Sequence, residues 1–219
     1  MDILQLLVGG IANGCIYGLL ALGFVLIYKA SEAVNFAQGD MMMLGAFLGV
    51  TFINASYADL PFLVGITLAA LILGLFGYLL DRFVLRAIFG QPQFAMVILT
   101  IALGFLIRFV AGVIWGHDPT SLETPFIGRV WTLGELMIPV VDAVIIITTV
   151  ALTSILYFFF ARTRLGVAMQ ASSQNQMAAY YMGIPVKRIN AIVWALSGVV
   201  AAIANGIDAF HRNAHVRSE

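Results

Sequence analysis

The sequence predicts an all-α polytopic membrane protein with about six transmembrane helices, an interrupted second helix and a short helix at the cytoplasmic face. Hydrophobic residues make up 62% of the 219 residues, charged residues make up 10%, and the mean hydropathy is +1.01. Soluble domains are about half apolar and about a quarter charged, so this chain cannot cover a globular surface with polar groups. Its formal net charge of zero argues against binding to nucleic acid.

Six apolar segments are long enough to cross a bilayer, which takes about 20 residues in a helix. Four of them carry no charge, and the other two carry Arg108 and Asp142. Backbone polar groups in lipid must be satisfied within the segment, and the alternation of a β-barrel is absent, so we expect helices. The predicted spans are residues 3–28, 41–58, 60–80, 94–115, 138–160 and 189–207.

The distribution of Lys and Arg predicts the orientation of these spans. One set of connections is strongly cationic, while the opposite set holds only Arg129, in a loop (residues 117–136) whose Pro and Gly predict turns. The cationic set should be cytoplasmic, which places the N-terminus outside. It consists of Lys29, Arg82, Arg86, Arg162, Arg164, Lys187 and Arg188.

We expect one transmembrane domain over residues 1–207, followed by a polar tail over residues 208–219. The tail, DAFHRNAHVRSE, breaks from the apolar style of the chain and would carry Arg212 and Arg217 to the outer side. It is either a natural polar tail or the product of a truncation or frame shift before further spans, and we favour the second explanation. His211 and His215 have no third ligand nearby, so we expect no metal site.

Three glycines of the first span, Gly10, Gly14 and Gly18, are spaced four residues apart and therefore share one helix face. Gly45 and Gly49 repeat the spacing in the second span. Small residues at this spacing let another helix backbone approach closely. We therefore predict tight helix packing at these glycines, with direct contact to a ligand as the weaker alternative.

Arg108 and Asp142 are the ionisable residues placed well inside predicted spans. Intramembrane charges are costly and usually face protein or water. Both lie toward the outer ends of neighbouring spans, so they could pair with each other across two helices. The alternatives are that each side chain extends to the outer interface, or that they contact substrate.

The stretch NFAQGD, residues 35–40, precedes the second span and predicts a short or broken helix at the cytoplasmic membrane face. Asp40 could cap the following helix and meet the positive end of its dipole. The functional alternative is that interrupted backbone and amide side chains line a translocation path, as in other transporters with discontinuous helices. The candidate path or pivot residues are Asn35, Phe36, Gln38, Gly39 and Asp40.

Residues 168–182 are predicted to form a helix on the cytoplasmic face, ended by Gly183 and Pro185. The predicted helix carries no charges, although Arg and Lys flank it on both sides. A helix lying on lipid headgroups usually shows cations along its polar face. We therefore favour docking into a groove on a partner protein over a resting place on the membrane surface.

Two stretches resemble the branched-chain amino acid ABC-importer permease family. The first is YGLLALGFVLIYKASEAVNFAQGDMMMLGAF, and the second is RTRLGVAMQASSQNQMAAYYMGIPVKRINAIVWALSGVVAAIA. In the second, Ala178, Ala179 and Gly183 keep the A-A-x-x-x-G core of the family's ATPase-coupling motif, while Met177 stands where that motif has Glu. The resemblance runs from about residue 3 to about residue 204, beyond which family members continue with further spans.

The resemblance implies a bacterial inner-membrane permease without a catalytic centre or cofactor of its own. Its implied partners are a second related permease, two cytoplasmic ATPase subunits that use ATP, and a periplasmic substrate-binding protein. The implied cargo is a branched-chain or related small amino acid, and urea and short-chain amide importers share this permease type. A secondary carrier or channel is the rival, but it would require titratable residues near the bilayer centre.

Overall fold

The computed structural model describes residues 2–31, 34–54, 57–88, 91, 93–116, 130–133 and 136–216 of the chain. Over these residues the backbone is almost entirely helical, which confirms the predicted all-α class. The helices, numbered along the chain, are α1 (Asp2–Ser31), α2 (Gln38–Ile53), α3 (Phe62–Phe83), α4 (Gln93–Trp115), α5 (Val140–Arg162), α6 (Arg164–Gln174), α7 (Gln176–Tyr181) and α8 (Val186–Val216).

The predicted spans are found as helices at the expected places. Within the described residues, α1, α3, α4, α5 and α8 are long and apolar enough to cross a membrane. The helix α2 is equally apolar but has only 16 residues. At about 1.5 Å per residue it is about 24 Å long, shorter than the hydrocarbon core of a bilayer, about 30 Å.

A short hairpin lies between α4 and α5, where the sequence predicts a loop with turns. Its strands are β1 (Val130–Leu133) and β2 (Leu136–Pro139). They pair antiparallel with Val130 opposite Pro139 and Leu133 opposite Leu136. β2 leads directly into α5 and also contacts α1, so the hairpin sits at the outer end of the bundle.

The helix α8 lies at the centre of the bundle and packs against α1, α2 and α3. Its side chains Trp194 and Ile189 are among the largest that are fully buried. The helices α4 and α5 are peripheral, and many of their large apolar side chains are exposed. In a chain dissolved in lipid, such side chains require no cover from the protein itself.

Glycines let the backbones of α3 and α8 touch. A Cβ built on Gly77 would lie 2.9 Å from the carbonyl carbon of Trp194, and one on Gly198 would lie 2.9 Å from that of Leu73. Gly45 of α2 is equally constrained, because a Cβ there would lie 2.9 Å from Cα of Ala202. The close packing predicted at Gly45 is therefore confirmed.

The packing predicted at Gly10, Gly14 and Gly18 does not occur against the described helices of this chain. All three are exposed, and a Cβ built on any of them meets nothing within 4 Å. The four-residue spacing correctly places them on one face of α1. It carries no information about which face of α1 turns toward α8, and Gly23 is the glycine of α1 that meets a neighbour closely.

The backbone of α8 continues without interruption from Val186 to Val216. The change of composition at residue 208 therefore falls inside a helix rather than at its end. Gly206 lies beside Ile66 near the start of α3, so the last turns of α8 extend past the outer end of that helix. The side chains beyond Gly206, including the predicted tail cations and histidines, lie outside the described residues.

The cationic residues predicted to be cytoplasmic cluster at one end of the bundle. The Nη2 atom of Arg86 donates a hydrogen bond of 3.1 Å to the carbonyl oxygen of Lys187, and it lies 3.9 Å from the carboxylate of Asp81. Lys29 and Arg162 lie in the last turns of α1 and α5. Because these helix ends meet at the base of α8, the architecture agrees with the orientation predicted from charge.

Candidate functional site

The chain is interrupted between α1 and α2, as predicted, but the interruption leads into the bundle rather than along its face. Gly23 of α1 packs against the side chain of Gln38, the first residue of α2. The helix α1 continues eight positions beyond Gly23, to Ser31, which is about 12 Å at 1.5 Å per residue. The start of α2 therefore lies inside the bundle, well away from the cytoplasmic end of α1.

Asn35 builds the turn that starts α2. Its Oδ1 atom accepts a hydrogen bond of 3.0 Å from the backbone N–H of Ala37, and its carbonyl oxygen accepts one of 3.3 Å from the N–H of Gln38. Asn side chains favour such turns because they bond to backbone two residues ahead. Next to it, the N–H of Phe36 donates to Oγ1 of Thr100 on α4 at 3.3 Å, so the free backbone donors of the interruption are taken up by polar side chains.

Gln38 is fully buried and joins three helices. Its Oε1 atom lies 2.9 Å from Oγ of Ser197 on α8 and 3.3 Å from Nδ2 of Asn35. Ser197 Oγ also lies 3.2 Å from the carbonyl oxygen of Gly23 on α1. The Nε2 atom of Gln38 is buried and has no hydrogen-bond partner among the described residues. A buried amide left half satisfied is costly, which marks this junction as a place where the bundle is not optimised for stability.

The sequence suggested that Asp40 caps α2, but the structure shows no such cap. No side chain caps the helix at Ala37; the Asp40 carboxylate instead pairs with Arg108 of α4. The Arg108 Nη2 and Nε atoms donate to Asp40 Oδ1 at 2.8 and 3.1 Å. Gly104 lies one turn from Arg108 and leaves the space that the second carboxylate oxygen occupies.

Arg108 and Asp142, which the sequence allowed to pair, do not contact each other. Arg108 faces α2, whereas Asp142 is buried in the first turn of α5, where its carboxylate lies beside Gly9 of α1. Similar depth on two successive helices made the pair plausible. The helices α4 and α5 are not packed together, and the sequence does not reveal which helices are neighbours in space.

A second contact between α2 and α4 was not predicted. The indole N–H of Trp115 donates a hydrogen bond of 2.7 Å to Oγ1 of Thr51, and the ring of Trp115 stacks on Phe47 with centroids 5.2 Å apart. Both ends of α2 are therefore joined to α4 by polar contacts. A Trp at the end of a span suggests an interfacial anchor, so the sequence does not reveal that Trp115 bonds to α2.

The cytoplasmic segment forms two helices rather than the single helix predicted over residues 168–182. α6 begins at Arg164, where Oγ1 of Thr163 accepts a hydrogen bond of 3.0 Å from the N–H of Gly166. Asn175 then interrupts the helix and caps α7, since its Oδ1 accepts from the N–H of Ala178 at 2.9 Å. The predicted stop is present, because Gly183 has φ +80°, a conformation that glycine adopts without strain.

The helix α7 is attached to the bundle by one small residue and leaves its large side chains uncovered. Ala179 is buried and its carbonyl oxygen accepts a hydrogen bond of 3.0 Å from the N–H of Ile184. Ala178 is exposed, and so are the large side chains around it. Met177, Tyr180, Tyr181 and Met182 are between 65% and 82% exposed, at the end of the bundle that lies outside lipid.

A cavity of about 350 Å³ lies between α1, α5, α6 and α8 in the cytoplasmic half of the bundle. Its lining is mostly apolar, with Leu26, Leu156 and Val193 among its walls, and Lys29 is at its cytoplasmic end. No anionic side chain is among the residues that line it. The cavity is therefore distinct from the ion pair between α2 and α4, and among the described residues no cluster of His, Cys, Asp or Glu could hold a metal.

Apolar spans around a central helix, a polar interruption inside the bundle and a capped helix pair at the cytoplasmic end define a membrane transport protein. The chain belongs to the permease component family of branched-chain amino acid transport systems, whose family model matches residues 6–215. It is therefore a multi-pass permease of the inner membrane.

Curated relatives are similar over most of the chain. The branched-chain amino acid permease BraD of Pseudomonas aeruginosa is 27% identical over 213 residues, covering 92% of this chain and 69% of the relative. LivH of Escherichia coli is 25% identical over 212 residues, covering 92% and 68%. The probable permease LivH of Methanocaldococcus jannaschii is 27% identical, covering 93% and 65%. No solved structure matches the chain significantly.

Proposed function

We propose that this permease imports branched-chain amino acids as one membrane subunit of an ATP-driven complex. Its partners in this proposal are a related permease, two cytoplasmic ATPase subunits and a periplasmic binding protein. The observation that carries the proposal is α7, whose large apolar side chains are exposed at the cationic end of the bundle. Exposed Tyr and Met side chains are typical of the centre of a protein interface.

The route from α7 to the interruption of the membrane helices supports the same proposal. α7 contacts α8, and α6 contacts α1, α5 and α8. On α8, Ser197 reaches the side chain of Gln38 at the start of α2. A partner that moves α7 would therefore act on the base of α8 and, through it, on the predicted pivot residues Asn35, Phe36, Gln38, Gly39 and Asp40.

In this mechanism the chain itself carries out no covalent chemistry. ATP binding and hydrolysis take place in the partner subunits, and the permease alternates between access from the two sides. A ligand or partner shifts such an equilibrium only by its differential affinity for the two states. The interruption at Asn35 provides a place where backbone direction can change without breaking a continuous helix.

The test is ATP-dependent uptake of radiolabelled leucine by proteoliposomes that contain the chain with its partner subunits. We expect accumulation that requires both ATP and binding protein. Tyr181→Ala and Met182→Ala should weaken ATPase binding about tenfold or more, as truncation of a central interface residue does, and should lower uptake accordingly. Tyr57→Ala, a change at an exposed tyrosine on the outer side, is the matched control and should leave ATPase binding unchanged.

Three results would each contradict a part of the proposal. Leucine uptake driven by an ion gradient without ATP would indicate a secondary carrier. Uptake of urea or acetamide in place of leucine would keep the ATP-driven permease and change its cargo. Unchanged ATPase binding in both α7 variants would show that the subunit docks elsewhere.

A further inference from the structure

The ion pair of Asp40 and Arg108 lies at mid-depth in the helix that carries it. Gly104, which faces the Asp40 carboxylate, is eleven positions from Gln93 and eleven from Trp115, the two ends of α4. At 1.5 Å per residue, Gly104 and the carboxylate beside it are about 16 Å from either end of α4. The backbone of Arg108 is nearer the outer end, about 10 Å from Trp115, and its side chain reaches back to the carboxylate. In a hydrocarbon core about 30 Å thick, this places both charges near the bilayer centre.

The two charges differ in exposure. The Asp40 side chain is 11% exposed, whereas the Arg108 side chain is 64% exposed. A cation at this depth is costly if it faces lipid and is almost always directed toward protein or a water-filled space. The exposed side of Arg108 therefore requires a polar partner or water that the described residues of this chain do not supply.

Arg108 has hydrogen-bonding capacity that Asp40 does not use. Its Nε and Nη2 atoms both donate to a single oxygen, Oδ1 of Asp40. A guanidinium has five N–H donors, so three remain, on the edge away from Asp40. The ring of Phe105 lies beside the guanidinium, 5.9 Å from its carbon Cζ, and offers an apolar surface next to the charge.

We propose that Asp40 and Arg108 together bind the charged end of an amino-acid substrate. Arg108 takes the α-carboxylate through its free edge, and Asp40 takes the α-ammonium group, while Phe105 contacts the apolar side chain. An amino-acid zwitterion carries both charges on groups attached to one carbon. It can therefore replace the ion pair between Asp40 and Arg108 by two ion pairs with the substrate, without adding net charge at the bilayer centre. This inference rests on the proposed amino-acid cargo.

The pair also separates amino acids from neutral amides. Urea and acetamide have neither a carboxylate nor an ammonium group, and would have to leave the internal pair closed. An analogue without these charges can form neither new ion pair, so nothing offsets the cost of opening the internal one. The structure thus links the pair to the selection of cargo, beyond holding α2 against α4.

The test compares leucine with leucinamide, which keeps the ammonium group and lacks the carboxylate. Binding to the detergent-solubilised complex and uptake into proteoliposomes are measured for wild type, Arg108→Gln, Arg108→Lys and Asp40→Asn. Arg108→Gln removes a charge-assisted hydrogen bond to the carboxylate, so it should weaken leucine binding about tenfold or more. Leucinamide binding should stay nearly unchanged, so the preference for leucine over leucinamide should be lost. Arg108→Lys should retain part of the preference.

The matched control is Arg82→Gln. Arg82 also lies beside an aromatic ring, that of Phe83 at 6.0 Å, but at the cytoplasmic end of α3. The Arg82→Gln variant should keep the wild-type preference for leucine.

If Arg108→Gln weakens both ligands equally, or keeps the preference for leucine, the inference is overturned and the pair is purely structural. If wild type transports no leucine at all, the proposed function fails first. Should Arg108→Gln not reach the membrane, Arg108→Lys decides by the same ratio. Asp40→Asn removes the contact to the ammonium group that both ligands carry, so it should weaken leucine and leucinamide alike, and an unchanged affinity for both would contradict the role of Asp40.

Discussion

Ser197 and Gln38 are 159 positions apart in the sequence, and Oγ of Ser197 lies 2.9 Å from Oε1 of Gln38. The contact joins the middle of α8 to the first residue of α2. Because the same hydroxyl also lies 3.2 Å from the carbonyl oxygen of Gly23, three helices meet at one buried polar group. This junction fixes the depth at which α2 begins.

Replacing Ser197 by Ala should destabilise this junction. The change removes a donor from buried Gln38 Oε1 and should cost about 1–2 kcal/mol of unfolding free energy. Thermal unfolding of the purified protein in detergent measures the loss. Thr67→Ala is the control, because the Thr67 hydroxyl is exposed and bonds only to Leu63 of its own helix. Equal effects of the two changes would argue against a special role for the junction.

Gly77→Ala should be more damaging than Gly14→Ala. A methyl group at Gly77 would collide with the backbone of Trp194, and overpacking of this kind costs about 1–3 kcal/mol. A methyl group at Gly14 meets nothing within 4 Å, so helix propensity should make that change neutral or slightly stabilising. Unfolding temperatures of the two variants provide the comparison. A larger loss for Gly14→Ala would refute the packing described for α3 and α8.

Asn175→Ala should loosen α7 without disturbing the membrane helices. The change removes the cap on the N–H of Ala178 and should cost about 1 kcal/mol locally. Hydrogen exchange at residues 176–181 should become faster, and ATP-dependent uptake should fall while the amount of protein in the membrane stays the same. Asn175→Asp keeps a capping oxygen and should restore both measurements. Failure of that restoration would mean that the cap is not what holds α7.

Trp115 and Thr51 should show a coupling energy. Trp115→Phe removes the indole donor while keeping an aromatic ring for Phe47, and Thr51→Val removes the acceptor. A double-mutant cycle isolates the pair, and we expect about 1 kcal/mol from a single hydrogen bond. A coupling energy near zero would leave the stacked rings as the contact that holds the outer end of α2.

The spans could be predicted because hydropathy and length report directly on solvation by lipid. The segment Phe94–Trp115 was predicted almost to the residue. The depth of α2 could not be predicted in this way. Polar residues before an apolar run suggest a position at the membrane face. Gln38 is instead buried, because α1 continues beyond it and Ser197 of α8 bonds to its side chain.

Partners within the bundle were the least predictable part of the candidate site. Position along a span gives the depth of Arg108 but not its neighbour, so the sequence makes Asp142, at similar depth on the next span, a possible partner and does not point to Asp40. The stop at Gly183 could be predicted from local chemistry, whereas the cap at Asn175 could not, since an Asn within good helix formers is compatible with an unbroken helix. Local signals thus located helix ends, and tertiary contacts decided the pairs.

Contact between the backbones of α3 and α8 has a mechanical consequence. At Gly77 and at Gly198 there is no layer of flexible side chains that could absorb a displacement. The two helices therefore act as one rigid unit. The cytoplasmic end of α8, at Val186, follows α7 after a short turn. Ser197 lies eleven positions above Val186, about 16 Å along α8. We therefore expect a displacement at the cytoplasmic end of α8 to move Ser197, and with it the start of α2.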